Sequence, residues 1–141
     1  MHRVVLDTSV VVSGFRSASG ASRVLLRLVA EERIVAVVSP ALMFEYEDVL
    51  KRPRQRAVHR LSDGELGAFF DELSLLCDRV ITRFQWRSQL ADANDELVLE
   101  AAVNGLCQTI VTHNIRDFAD AERSLGIRAV TPATYLRELA R

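Results

Sequence analysis

Five short runs rich in β-branched residues, each separated from the next by helical periodicity, constrain this chain more than any other feature. The runs are Arg3–Leu6, Ile34–Val38, Arg79–Thr82, Thr109–Thr112 and Arg128–Val130. Strands that alternate with helices pair in parallel and need helices on both faces. The pattern therefore predicts an α/β fold: a three-layer sandwich with a parallel sheet of about five strands, built as a single domain over 1–141.

The helical stretches carry their own start and stop signals. Ser22–Glu32 sets Val24, Leu25, Leu28 and Val29 at helical spacing. Ser39 followed by Pro40 opens a helix that Pro53 ends near Arg52. Ser62 and Glu65 form a capping box for a helix reaching about Leu76, and a helix over Asn94–Asn104 stops at Gly105. Phe118–Leu125 and Ala133–Leu139 read as short helices, and the basic stretch after Arg52 as a loop.

Composition excludes several classes. With 49% hydrophobic and 26% charged residues, the chain folds rather than staying disordered. No apolar stretch approaches the ~20 residues of a membrane span, and no signal-peptide pattern opens the sequence, so a cytoplasmic protein without a membrane partner is expected. Cys77 and Cys107 lack metal-type spacing and are too few for a disulfide framework, which leaves two reduced core thiols. The net charge of −1 conceals an asymmetry: residues 1–60 hold ten basic against six acidic side chains, and 61–141 hold eight against thirteen. A basic surface beside an acidic site is compatible with that total.

Asp7 interrupts an apolar run, Val4–Leu6 before it and Val10–Val12 after. An ionised carboxylate there is costly unless something pairs with it. In a parallel sheet, ligands gather at the carboxyl ends of the strands. Asp7 follows the first strand; Glu45 lies in the second turn of the helix leaving the second. Asp92 and Asp95 open the helix before the fourth strand, and Asn114 and Asp117 follow that strand. At 100° per residue, Glu45 lies closer to the Leu42, Tyr46, Val49, Leu50 stripe than Glu47 or Asp48, and Asp95 lines up with Val98, Leu99 and Ala102. Taken singly, Asp7, Asp92, Asp95 and Asp117 also read as helix-capping acids, and Glu45 as the fringe of a solvated face. Together they would repel one another and stay protonated without a cation. With oxygen donors only, that cation is Mg²⁺ or Mn²⁺ rather than Zn²⁺, and the chemistry expected of it is on a phosphate ester.

The segments VVLDTSV, EYEDVLKRP, DANDELVLEAA and TIVTHNIRDF, in this order, resemble those of PIN-domain ribonucleases, above all the virulence-associated protein C (VapC) type toxins of toxin-antitoxin operons. The resemblance implies a metal-dependent endoribonuclease cleaving single-stranded RNA, with Mg²⁺ or Mn²⁺ held by Asp7, Glu45, Asp95 and Asp117, and products carrying a 5′-phosphate and a 3′-hydroxyl. Asp92 matches an additional acid of this branch. Asn114 departs from members that have Asp there, whereas others with the TxNxxDF pattern use the later acid, here Asp117. Thr8 and Ser9 match a hydroxyl pair that supports the strand-end carboxylate, or else cap a helix; Thr112 is similar in kind. The resemblance also implies an antitoxin partner and a homodimer, for which the third and fifth helical regions offer apolar residues.

Phe15, Trp86 and Phe118 are candidates for base stacking or for the minor core. The run KRPRQRAVHR, residues 51–60, suits an RNA backbone, an antitoxin or plain solvation. His113 adjoins the acids without an assigned role. Aspartyl-phosphate chemistry is disfavoured, because Ser9 stands where haloacid-dehalogenase-like enzymes need a second Asp and the only lysine is Lys51. The competing function is a catalytically weak PIN fold acting as an RNA-binding or protein-interaction module, for which Asn114 is the supporting feature.

Overall fold

The computed structural model of the chain describes residues 2–81 and 93–141. Five strands, β1 (Arg3–Leu6), β2 (Val35–Val38), β3 (Asp78–Arg79), β4 (Thr109–Val111) and β5 (Arg128–Val130), form one sheet in the order β3-β2-β1-β4-β5. All four pairings are parallel. The helices are α1 (Thr8–Arg16), α2 (Ala21–Ala30), α3 (Pro40–Lys51), α4 (Pro53–His59), α5 (Asp63–Leu76), α6 (Ala93–Asn104), α7 (Ala119–Leu125) and α8 (Pro132–Leu139), with a 3-10 turn at Ile115–Phe118.

The α/β sandwich expected from the sequence is thus present, and its local signals act as read. Ser39 Oγ accepts from the Leu42 N–H at 3.1 Å. Both arms of the Ser62–Glu65 capping box form. Gly105 is required for a different reason than expected. Leu106, at φ 56°, takes the left-handed position, while a Cβ on Gly105 would lie 2.5 Å from Val37 Cγ1. Glycine there lets the end of α6 approach β2.

Two helices stand where the sequence reading outlined none. Residues 8–16, with their triple valine, form α1, because Val10 and Val11 are fully buried there and burial outweighs the small helix penalty of β-branching. The basic stretch expected as a loop contains α4, which buries no residue and so carries no apolar stripe to announce it. Three of its cations are spent locally: Lys51 on Glu47, Arg52 on Asp48 and Arg56 on Asp63. The third strand is shorter than expected, and Thr82 falls outside the described residues.

The core fills both faces of the sheet, from Val4, Val5 and Leu6 of β1 outward. Phe118 belongs to it, fully buried, which removes it as a base-stacking candidate. Phe15 is half-buried and packs edge-on against Phe69, ring centroids 4.7 Å apart. Trp86 lies outside the described residues. Cys107 is buried, Cys77 half-buried, and both thiols are free. Burial pushes the Cys77 thiol up to about 12 and raises that of Cys107.

Candidate active site

Strand register sets the centre of the site. Leu6 pairs with Val111 across β1 and β4, so the next residues, Asp7 and Thr112, meet at the carboxyl edge. The Asp7 N–H closes the ladder on the Val111 carbonyl at 2.9 Å. Asp7 also supplies the N-cap backbone of α1, yet its carboxylate caps nothing. Both hydroxyls within reach, Ser9 Oγ at 2.8 Å and Thr112 Oγ1 at 2.6 Å, donate to Oδ2. Oδ1 is left without a hydrogen bond among the described residues. Only 5% of Asp7 is exposed. Two donors on one oxygen stabilise the buried carboxylate and fix its orientation.

The same hydroxyls organise the following loop. Thr112 Oγ1 accepts from the Asn114 N–H at 2.9 Å, and Ser9 Oγ accepts from the His113 N–H at 3.3 Å. His113 Nε2 in turn lies 3.1 Å from the hydroxyl of buried Ser22. From below, the buried Tyr46 hydroxyl donates to the Leu6 carbonyl, one residue before Asp7. Burial, reinforced by nearby Cys77 and Asp7, raises the Tyr46 pKa well above its ordinary value, so it remains a phenol donor. Thr8 Oγ1 is buried with no hydrogen-bond partner among the described residues. Such an orphan costs about 1–3 kcal/mol unless a bound species meets it.

The other acids share this edge through topology. Glu45 is half-buried on α3, which leaves the carboxyl end of β2; its neighbours Glu47 and Asp48 pair outward with Lys51 and Arg52 at 2.7 and 3.0 Å. Asp95 is half-buried in the first turn of α6, the helix that leads into β4. Neither Glu45 nor Asp95 is free of interactions of its own. Asn114 and Asp117 are exposed after β4, and neither side chain caps the 3-10 turn or α7. Asp92 lies outside the described residues. Among the described residues no three His, Cys, Asp or Glu side chains approach closely enough to hold a metal ion together. The assembled part is Asp7 with its two hydroxyls.

A family model described as the PIN domain matches residues 3–116. This chain belongs to the PIN-domain family. PIN domains are generally nucleases, hydrolases of phosphodiester bonds. Among curated proteins, none matches the chain. Asp7, Glu45, Asp95 and Asn114 fall inside the PIN match and Asp117 one residue beyond it, although β5 and α8 complete the same sheet and core. The PIN site's donors fit a hard cation: every candidate ligand is an oxygen, and among the described residues Asp7 Oδ1 accepts no hydrogen bond and the buried hydroxyl of the next residue, Thr8, has no partner.

Sequence reasoning passed over two contributors. Tyr46 was counted only as part of an apolar stripe, although a Tyr at such a position brings a hydroxyl needing a partner. The Ser22–His113 contact joins residues 91 apart and leaves no local signal.

Proposed function

We propose that this PIN domain is a divalent-metal-dependent endoribonuclease that cleaves single-stranded RNA. The observation that carries the reading is the buried Asp7 carboxylate at the carboxyl edge, which accepts two hydrogen bonds on Oδ2 and none on Oδ1 among the described residues. Asp7, Glu45, Asp95 and Asp117 would hold the cation, with Asp92 and Asn114 as further donors. A hard divalent cation, when bound, neutralises charge developing on the phosphate oxygens and makes water a better nucleophile. Thr112 and Ser9 keep Asp7 oriented, and Tyr46 anchors the strand end beneath it. An acid not engaged by the cation accepts a proton from the attacking water.

Chelator-stripped protein incubated with single-stranded RNA should cut it only after Mn²⁺ or Mg²⁺ is restored, leaving 5′-phosphate and 3′-hydroxyl ends. Metal-independent fragments ending in a 2′,3′-cyclic phosphate would contradict the reading.

The absence of a closed acid cluster among the described residues favours a second reading, a binding module with weak or no turnover. That module would bind RNA or a protein equally well with and without metal and leave the RNA intact.

The toxin role rests on the motif resemblance, with an antitoxin as protein partner and a homodimer as the assembled form. Of the two helical regions expected to supply the dimer face, α7 spends its apolar residues on the core, whereas Leu75 of α5 is exposed, as are Phe44 and Ile81. Light scattering should give twice the chain mass at micromolar concentration; a monomer mass would contradict the dimer.

A further inference from the structure

The acids that serve catalysis also create a problem for binding: a rim of carboxylates repels the phosphates of RNA, so cations must offset that field close to the site. Several arginines are already committed. Arg23 donates to the Gly14 carbonyl at 2.8 Å, and Arg52 and Arg56 pair with Asp48 and Asp63. Arg16, like Arg79 and Arg116, is exposed and makes no hydrogen bond or ion pair among the described residues, but it lines a cavity that Ser9, a donor to Asp7, also lines.

Arg16 lines a cavity of about 320 Å³ together with Ser9, Val12, Ser13 and His113. Ser9, Ser13 and Arg16 stand at i, i+4 and i+7 on α1, a single row along the helix. At 1.5 Å rise per residue the row runs about 10 Å, from the hydroxyl that holds Asp7 to the free guanidinium. The Ser9 hydroxyl is committed at both ends, donating to Asp7 and accepting from the His113 N–H. The Ser13 hydroxyl is uncommitted among the described residues. His113 is turned by its contact with Ser22, which engages Nε2 and leaves Nδ1 over. The cavity lining thus carries two serines, a histidine and an arginine, and no carboxylate among the described residues.

We propose that this cavity is a phosphate subsite for RNA, in which Arg16, assisted by Ser13 and His113, holds the phosphate flanking the scissile one. The inference rests on the nuclease reading above and adds to it the residues that position the substrate. Arg16 supplies a forked donor for phosphate oxygens; Ser13 and His113 fix the strand between that contact and Asp7. Ser9 couples the two sites, since it binds Asp7 and the His113 backbone at once.

The test is binding of a single-stranded RNA in chelator, followed by anisotropy against salt concentration, for wild type, Arg16→Ala and Arg16→Lys. Arg16 is exposed, so neither variant should disturb the fold. Arg16→Ala should bind about tenfold more weakly at low salt. Its log–log salt slope should be shallower by about 0.7, one phosphate contact on a single strand, and Arg16→Lys should keep the slope. A neutral methylphosphonate at the flanking linkage should weaken wild type and leave Arg16→Ala unaffected. An unchanged slope in Arg16→Ala, or no RNA binding by the wild type, would overturn the subsite. Metal-dependent cleavage with an unchanged slope would sink the subsite alone; a lost slope without cleavage in Mn²⁺ would support the subsite and sink the nuclease.

Discussion

Thr112 Oγ1 donates to Asp7 Oδ2 at 2.6 Å across 105 residues of sequence, and it does so because Leu6 and Val111 stand in register one step earlier. The hydroxyl also accepts the Asn114 N–H, so one buried side chain ties the carboxylate to the loop after β4. Thr112→Val keeps the shape and removes both bonds. It should lower stability by about 1–3 kcal/mol and the melting temperature by about 3–10 °C, while Thr112→Ser stays near wild type. A Thr112→Val protein as stable and as active as wild type would show that the bond orients nothing.

Tyr46→Phe tests the support beneath the site. Loss of the hydroxyl leaves the Leu6 carbonyl without that donor, at a cost of about 1–3 kcal/mol. Because Tyr46 does not face substrate in this account, kcat should fall with KM unchanged. A rise in KM alone would place Tyr46 in RNA binding instead.

The two thiols give a pH signature. A thiol raised by burial favours the protonated form in the folded state, so its contribution is complete below the ordinary value of 9.0 and is lost as pH climbs toward about 12. Cys77, Cys107 and Tyr46 all shift in this direction. Melting temperature should therefore hold steady through pH 8 and fall between roughly pH 9 and 12. Iodoacetamide at pH 8 should label both cysteines only after denaturation; rapid labelling of the folded protein would show that the thiols are neither buried nor raised.

In the proposed site, Asn114 and Asp117 are the two candidates for the fourth ligand position. An amide oxygen brings less charge to Mg²⁺ or Mn²⁺ than a carboxylate does. Asn114→Asp should cleave RNA at half-saturating Mn²⁺ as fast as wild type or faster, and Asp117→Asn about tenfold more slowly or worse. Equal rates in all three proteins would remove both residues from the site and leave Asp7, Glu45 and Asp95, with Asp92, to hold the cation.

Most of the sheet was legible because β-branched runs and capping residues are local signals; β5 matches its expected bounds, and α3 begins behind Ser39 as read. What escaped is what local pattern cannot carry. The Val10–Val12 run is a plain apolar stretch in sequence, whose helix depends on the burial of Val10 and Val11, and α4 has no apolar face to betray it. In the site, Asp7 announced itself as a charge inside an apolar run. Its partnership with Thr112 depends on the register of β1 against β4, and the Ser22–His113 contact on how α2 packs against the edge; neither is a property of any short stretch. Helical phase predicts Glu45 and Asp95 on the inward side of their helices, where the structure shows both half-buried, and Asp92 lies outside the described residues.

The central claim, that RNA cleavage is built on the Asp7 carboxylate and a divalent cation, is tested most directly by single-turnover cleavage of a single-stranded RNA against Mn²⁺ concentration, for chelator-stripped wild type and Asp7→Asn. The expected result is a wild-type rate that rises from zero with Mn²⁺ to saturation, and an Asp7→Asn protein that melts at or above the wild-type temperature in chelator yet cleaves nothing at any Mn²⁺ concentration. Cleavage by Asp7→Asn with the wild-type Mn²⁺ dependence would contradict the account.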